Sequence, residues 1–422
     1  MKLGVIADDF TGATDIAGFL VKNGLKTVQL NGVPREGVNV DADAVVVSLK
    51  SRSCAPEKAV HDSLAALQWL KNHHSEQFFF KYCSTFDSTS KGNIGPVTDA
   101  LLDALGEDFT VICPVLPVNG RTIYCGYLFV NGVPLSESGM RHHPVTPMTD
   151  SNIMRVMEAQ SEGRCGNVPS QIIDKGIAAV KNCLQQLRQN GFRYAVLDAL
   201  NDKHIEILGK AVADMKFVTG GSGLADGMAR AWTDLHGDVE QAEAAGQPLE
   251  GATVVLSGSC SQMTNAQVAK YKEMAPALAV DVGRAVSDAN YFSELVEWVK
   301  QNSNQKYAPL IYATVMPEEL SNTQASFGAE TASQAIEMLF AKIAKTLESQ
   351  GYRRFIIAGG ETSGAVTQAL AIEGFKIGPQ IAPGVPWVRS IGKSLSLALK
   401  SGNFGDEDFF FVAQQMKTVK GE

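Results

Sequence analysis

Two aspartates stand side by side at Asp8 and Asp9, after the apolar run Leu3–Ala7 and before Thr11-Gly12-Ala13. Carboxylates at the end of a buried strand can orient a hydroxyl, accept its proton, hold a metal ion or cap the next helix. One of the two as a cap is expected, both is not, so Asp9 is the candidate catalytic group and Asp8 a candidate substrate contact. A second cluster, Lys81-Tyr82-Cys83-Ser84-Thr85-Phe86-Asp87-Ser88-Thr89-Ser90-Lys91-Gly92-Asn93, follows the aromatic run Phe78–Phe80. Its two cations, one carboxylate and many hydroxyls suit a small polyhydroxylated acid, with cations on the carboxylate and hydroxyls on the rest. Lys81, Asp87, Ser88, Thr89 and Lys91 are the candidates there. Arg52, after the valine-rich run Ala44–Leu49, is a further candidate cation.

The second half of the chain offers turns of small residues instead of charges: Ser257-Gly258-Ser259-Cys260-Ser261, Gly359-Gly360-Glu361-Thr362-Ser363-Gly364 and Ser401-Gly402-Asn403-Phe404-Gly405. Bare amides at a helix N-terminus bind phosphate, and glycine lets the phosphate approach. One such turn is common. Two after strands in one domain, with a third near the end, point to a nucleotide site. Ser259, Gly360, Glu361, Thr362, Ser363, Gly402, Asn403 and Gly405 are its candidate residues.

These loops need rigid elements beneath them. Apolar periodicity predicts strands at Leu3–Ala7, Lys26–Leu30, Ala44–Leu49, Gln77–Tyr82, Phe109–Cys113, Tyr194–Asp198 and Lys216–Thr219. Helices are predicted over Thr11–Asn23, Pro56–Asn72 and Val97–Leu105. Arg121 to Ser151 fits no such rhythm and reads as a long functional excursion. The polar stretch from Gly237 to Gly251 reads as a linker. A second series follows: strands at Thr253–Leu256, Leu278–Val282, Leu310–Ala313 and Arg353–Ala358, with helices over Gln262–Met274, Ala285–Gln301, Thr331–Gln350 and from the Gly359 loop to about Glu373. The tail from Phe375 to Val412 reads as short strands and turns. Strands alternating with helices predict two α/β domains, each a largely parallel sheet flanked by helices. The expected division is residues 1–236, a linker at 237–251, and 252–422, with the active site in the interdomain cleft.

Length and composition agree: 422 residues exceed one core, and 45% apolar with 19% charged is ordinary for globular domains. A net charge of -8 without basic runs argues against nucleic acid as a partner. The opening residues lack the pattern of a signal peptide, and no 18-residue apolar run predicts a membrane span. Seven cysteines without C-x-x-C spacing suit a reducing, cytoplasmic setting and read as buried apolar groups.

Several motifs fall short. Gly392-Lys393-Ser394 ends like a P-loop, but Trp387 stands where its first glycine belongs. Gly360–Gly364 has Thr362 at the centre, where a nucleophile elbow needs serine. Thr219-Gly220-Gly221-Ser222-Gly223 lacks the full dinucleotide spacing and reads as a tight turn. His142-His143 has no third ligand at metal spacing, and no metal-binding residues are assigned.

Taken together, ADDFTGA at 7–13, DST at 87–89 with Gly92-Asn93, SGSCS at 257–261 and GGETSG at 359–364 resemble the four-carbon acid sugar kinase family, over nearly the whole chain and in the same order. CSTFDST at 83–89 and GNIGPV at 92–97 are most similar to its 3-oxo-tetronate branch. The threonate and erythronate branches tend to carry Leu-Arg where this chain has Ser90-Lys91. The resemblance implies an N-terminal domain that binds the sugar acid through Asp9, Arg52 and the 81–91 loop. It implies a C-terminal domain that binds ATP through Ser259, residues 360–363 and 402–405. The implied reaction transfers phosphate from ATP, with Mg²⁺, to the terminal 4-hydroxyl of 3-dehydro-tetronate. Threonate or erythronate is the alternative substrate. A nicotinamide-dependent sugar-acid dehydrogenase and a non-catalytic small-molecule binding protein are the readings from other classes. A homodimer is left open as the assembly.

Overall fold

The computed structural model describes every residue except 1, 36, 37, 39, 144, 145, 234–237, 317, 319–324 and 421–422. The chain divides into two compact units, Met1–Gln241 and Ala242–Glu422.

The first unit is built on β1 (Leu3–Ala7), β2 (Thr27–Asn31), β3 (Ala44–Ser48), β4 (Gln77–Lys81), β5 (Thr110–Cys113), the excursion strands β6 (Arg121–Tyr124), β7 (Tyr127–Val130) and β8 (Val133–Pro134), then β9 (Cys165–Val168), β10 (Tyr194–Leu197) and β11 (Phe217–Gly220). Its main sheet runs β2-β3-β1-β4-β11-β5-β10-β9, and its pairings are parallel. Parallel strands covered on both faces need near-continuous apolar runs. Val45, Val46, Val47 and Phe79 supply them and are fully buried. The chain starts at β1, passes to β2 and β3 on one side, then crosses to β4 on the other. β1 is therefore a topological switch point, where loops diverge and leave a crevice beyond the strand ends. Ala7 is in register with Ser48 on one side and Lys81 on the other, so the segments after all three strands leave from one line.

The excursion is more ordered than its composition suggests. β6, β7 and β8 form an antiparallel sheet of their own, pinned by Asp198. Its carboxylate accepts from the amides of Cys125 (2.7 Å), Gly126 (3.0 Å) and Ser170 (3.1 Å) and from Asn167 Nδ2 (2.9 Å). A buried carboxylate costs least when donors surround it like this.

The second unit contains β12 (Thr253–Ser257), β13 (Ala277–Ala279), β14 (Leu310–Tyr312), β15 (Arg354–Ala358), β16 (Gly374–Ala382), β17 (Val385–Ser390) and β18 (Ser396–Lys400). Their order is β13-β14-β12-β15-β18-β17-β16. β12 repeats the position of β1: the chain visits one flank through β14 and then returns to the other through β15. The tail is more regular than predicted. β18 is a fully buried strand parallel to β15, β16 and β17 form an antiparallel hairpin, and Phe409–Gln415 is a helix.

Three other expectations need correction. The single helix over Ala285–Gln301 is two, Val282–Ser287 and Tyr291–Asn302. Asp288 ends the first in extended backbone and its side chain accepts from the Asn290 amide at 2.9 Å. The predicted linker contains a helix at Val239–Ala244, and residue 237 lies outside the described residues. The cysteines are not uniformly buried: Cys113 and Cys165 are, whereas Cys125 is exposed at the β6–β7 turn. No helix among the described residues is long and apolar enough to cross a membrane.

Candidate active site

At the switch point of the first unit, Asp8, Asp9, Arg52 and Lys81 meet because their strands are neighbours in register. Asp8 continues β1 by one residue. Its amide donates to Lys81 O (3.0 Å) and its carbonyl accepts from Ser51 N (3.0 Å) and Arg52 N (3.1 Å). The residue is buried, 5% exposed, and its side chain accepts a bidentate pair from Arg52, Nε at 3.0 Å and Nη2 at 2.8 Å. Burial raises the Asp8 pKa, Arg52 opposes it, and the neighbouring Asp9 adds to it. The forked geometry uses both oxygens as acceptors, so the ion pair is the state the structure holds. Burial alone would make Arg52 easier to deprotonate, but Asp8 and Asp9 outweigh it and raise its pKa. Asp8 is thus a clamp on Arg52, and Arg52 carries the pair toward the crevice.

Asp9 does two jobs through one oxygen. Its Oδ1 accepts from Gly12 N at 2.8 Å, capping the Phe10–Lys22 helix, and lies 2.9 Å from Arg52 Nη2. No described protein group bonds Oδ2. A side chain at Gly12 would collide with Asp9 Oδ1 and reach within 3.1 Å of Lys81 Nζ, which explains the glycine after Asp9-Phe10-Thr11. Lys81, 3% exposed, donates to Tyr82 O at 2.7 Å. Its charge bears on Asp8 and on Asp15. Asp15, whose pKa is raised chiefly by burial, accepts a short hydrogen bond from Ser222 Oγ.

The loop after Lys81 is fastened from within. Ser88 Oγ donates to Gln160 Oε1 at 2.5 Å and accepts from Ile94 N at 3.3 Å. Gln160 Oε1 also accepts from Gly95 N at 2.9 Å. Asn93 Nδ2 donates to the carbonyls of Ser51 (2.6 Å) and Cys54 (2.9 Å), tying this loop to the Arg52 segment. Asp87 accepts from Thr85 Oγ1 at 2.6 Å. Ser88, a candidate substrate contact, has its hydroxyl engaged inside the loop. Asp87 and Thr89 are half-buried and Lys91 is exposed. Phe86, fully buried, takes φ +52°, a conformation a bulky residue adopts only when its surroundings fix it.

In the second unit, Ser257, Ala358 and Lys400 are in register across β12, β15 and β18, so three turns leave from adjacent strand ends. The helix Gly360–Ala369 has no side-chain cap, which leaves its first amides as donors for an anion. The cavity in front, about 270 Å³, is lined by Gly258, Ser259, Gly359, Gly360, Glu361 and Thr362 among others. Nothing lies within 4 Å of where a Gly360 side chain would begin, and Gly360 lines the cavity. The three turns are packed without slack. A side chain at Gly402 would sit 2.6 Å from Ser259 Oγ and 2.8 Å from Ser261 Oγ. Thr362 is buried, and the Ser363 hydroxyl is buried without a partner among the described residues. Asn403 is exposed, and Gly405 holds φ +73° in the turn. Ser261 caps the Gln262–Lys272 helix by accepting from Thr264 N.

Sequence reading placed Asn93 in the loop after Lys81 without its tie to the Arg52 segment, and missed Gln160, Asp15, Ser222, Thr264 and Lys400. Only Lys400 left a usable signal: like Lys81, it is a cation ending an otherwise apolar strand.

These two sites define a class: a two-unit α/β protein with a carboxylate–guanidinium cluster at one switch point and amide-lined turns at the other. The chain belongs to the four-carbon acid sugar kinase family. Residues 3–228 match the model described as a sugar-binding N-terminal domain, and residues 254–410 the model described as a nucleotide-binding C-terminal domain. It is 70% identical to the 3-oxo-tetronate kinase of Brucella melitensis biotype 1, covering 100% of this chain and 97% of that protein. It is 61% identical to the 3-oxo-tetronate kinase of Pectobacterium atrosepticum, covering 98% and 99%. The crystal structure of a Salmonella typhimurium LT2 protein, provisionally described as a tRNA synthase, is similar with a TM-score of 0.94 at 57% identity, covering 98% and 99%. That of a Haemophilus influenzae protein of family DUF1537 is similar with a TM-score of 0.88 at 56% identity, over the same shares.

Proposed function

We propose that this protein is an ATP-dependent kinase that phosphorylates the terminal 4-hydroxyl of 3-oxo-tetronate. The observation that carries the reading is full-length identity of 61–70% with relatives named for that reaction. The geometry supports it: one unit presents cations and a partly free carboxylate, the other presents unsatisfied amides. The relatives' names favour neither the dehydrogenase nor the non-catalytic reading.

In the proposed reaction the first unit binds the sugar acid and the second the nucleotide. Arg52, held by Asp8, and Lys81 face the substrate's carboxylate or the charge on the transferred phosphoryl group. Asp9 Oδ2 orients the 4-hydroxyl and accepts its proton, while Oδ1 keeps the side chain fixed. Asp87, Thr89 and Lys91 bind the remaining oxygens, and Ser88 shapes their loop. The amides of Gly360, Glu361 and Thr362 hold phosphate oxygens. Ser259, Ser363, Gly402, Asn403 and Gly405 complete the nucleotide contacts. Phosphoryl transfer depends on alignment and charge neutralisation, so positioned groups suffice without a covalent intermediate.

Among the described residues no cluster of three His, Cys, Asp or Glu side chains could cage a metal ion. Mg²⁺ fits this chain as a companion of the ATP phosphates, bound largely by them and by water, where it would shield their charge. None of the seven cysteines is paired, in keeping with a cytoplasmic location. The test is ADP release on incubation with ATP and a panel of 3-oxo-tetronate, threonate and erythronate. Release with 3-oxo-tetronate at the highest kcat/KM is expected. Release only with another acid would reassign the substrate, and no release with any would remove the kinase reading.

A further inference from the structure

Lys400 ends β18 with its side chain fully buried. Its Nζ lies 2.9 Å from Thr264 Oγ1, 3.1 Å from Ser401 O and 2.8 Å from Gly402 O. Thr264 Oγ1 spends its own proton on Gly402 O at 2.6 Å, so toward Lys400 it can only accept. Three acceptors around one nitrogen consume all three protons of an ammonium. A neutral amine has two protons and fills two of these contacts, while Gly402 O keeps the bond from Thr264 Oγ1. The pocket therefore accommodates either protonation state, and no acidic side chain among the described residues pairs with the charged one.

The elements around Lys400 carry charged groups, and they are committed elsewhere or distant. Lys270 on the Gln262–Lys272 helix pairs with Asp408 at 2.9 Å and lies 3.9 Å from Glu407. Lys272 lies over the Tyr312 ring. Asp406 accepts from Gln267 Nε2 through its backbone carbonyl. Arg354, at the opposite end of β15, stacks on Trp387. Glu361 stands in the Gly359–Gly364 turn. Phe409 presents its ring 5.9 Å from Nζ. Among the described residues no charged neighbour offsets the cost of burial, and burial pushes the Lys400 pKa down to about 7. Lys81 makes the useful contrast. It also ends a strand and donates to the carbonyl of the next residue, but it sits among Asp8, Asp9 and Asp15.

Lys400 braces the Gly402 turn, and Gly402 abuts Ser259, which lines the cavity. We infer that Lys400 is a positioning residue whose missing counter-anion is the nucleotide's phosphate, so that nucleotide binding is coupled to uptake of a proton by its amine. The inference rests on the nucleotide site proposed above. The sign follows from linkage. A phosphate nearby raises the amine's pKa, the bound state holds more protons than the free state, and affinity falls as pH rises through and above about 7. One coupled proton gives a fall of at most about tenfold per pH unit.

Isothermal titration of the full chain with ADP at pH 8.0, in buffers of differing ionisation enthalpy, reads the proton directly. Wild type is expected to take up a fraction of a proton per ADP bound. Lys400→Arg, which keeps the charge and cannot titrate in this range, is expected to bind ADP with that uptake abolished and the affinity flat from pH 7 to 9. Lys400→Met is expected to weaken ADP binding at all pH values in that range; a folded variant with wild-type affinity would count against the inference. Proton uptake identical in wild type and Lys400→Arg would overturn the coupling while leaving the nucleotide site in place. If wild type binds no ADP, both the coupling and the site beneath it fall.

Discussion

The two units solve the same topological problem and fill it with opposite chemistry. In each, the first strand is flanked by strands the chain reaches in opposite directions, β3 and β4 around β1, β14 and β12's other neighbour β15 around β12. In each, a buried lysine ends a nearby strand, β4 beside β1 in the first unit and β18, one strand removed from β12, in the second. The first unit fills its crevice with side-chain charge: Arg52 pairs with Asp8 and Asp9, and Lys81 stands beside them. The second fills its crevice with backbone, and glycines leave the space open. A small acid with few atoms needs directed charges to fix its orientation. A polyphosphate is recognised by many amides whose dipoles need no counter-ion and which cost little to leave facing water. The comparison teaches that the same fold can host either site, and that the residues at strand ends decide which.

Breaking the first site should have the largest consequence for turnover. Asp9→Asn keeps a helix cap, since asparagine caps as well as aspartate, but removes the proposed proton acceptor. A fall of roughly 10²–10⁴ in kcat is expected, with ADP affinity unchanged by titration. Wild-type turnover would remove Asp9 from the chemistry. Arg52→Ala leaves Asp8 buried without its partner and is expected to lower unfolding free energy by about 3 kcal/mol, measurable by urea denaturation. A loss of sugar-acid binding should accompany it. An unchanged denaturation midpoint would mean that Asp8 is not confined as described.

The second site should answer to shape. Gly360→Val places a side chain in the cavity and is expected to weaken ADP binding by about tenfold or more, the scale of one charged hydrogen bond. The acid's affinity should stay the same. An ADP affinity matching wild type would show that the phosphates lie elsewhere. The smallest effect is expected from Ser88→Ala, which strips Gln160 and Ile94 of a partner and should cost about 1–3 kcal/mol of stability. Since its hydroxyl faces inward, KM for the acid should shift less than on Lys91→Ala. The reverse order would place Ser88 on the substrate.

Much of this was legible beforehand. The strands that carry the sites are apolar runs, and parallel pairing leaves them little choice of identity. Asp8-Asp9 and the three small-residue turns could be found because strand-to-helix junctions concentrate function. Other features left no local trace. Asn93 reaches Ser51 and Cys54, and Gln160 reaches Ser88 and Gly95, across separations that no periodicity encodes. The excursion at 121–151 was mistaken for irregular chain because its order depends on Asp198, which lies far along the sequence. The break at Asp288 depends on its side chain bonding the backbone amide of Asn290, which competes with a helix that apolar spacing favours.

The amino-acid sequence by itself determined the two α/β series, the strand-end motifs and the family to which they belong, because these follow from local pattern and short-range chemistry. The tertiary structure decided which of those residues are committed. It turned Asp8 into the clamp of Arg52, engaged one oxygen of Asp9, turned Ser88 inward, and set Lys400 among three acceptors with no acid beside it among the described residues. Such roles depend on the neighbours a side chain meets and the water it loses, and only the folded chain supplies either.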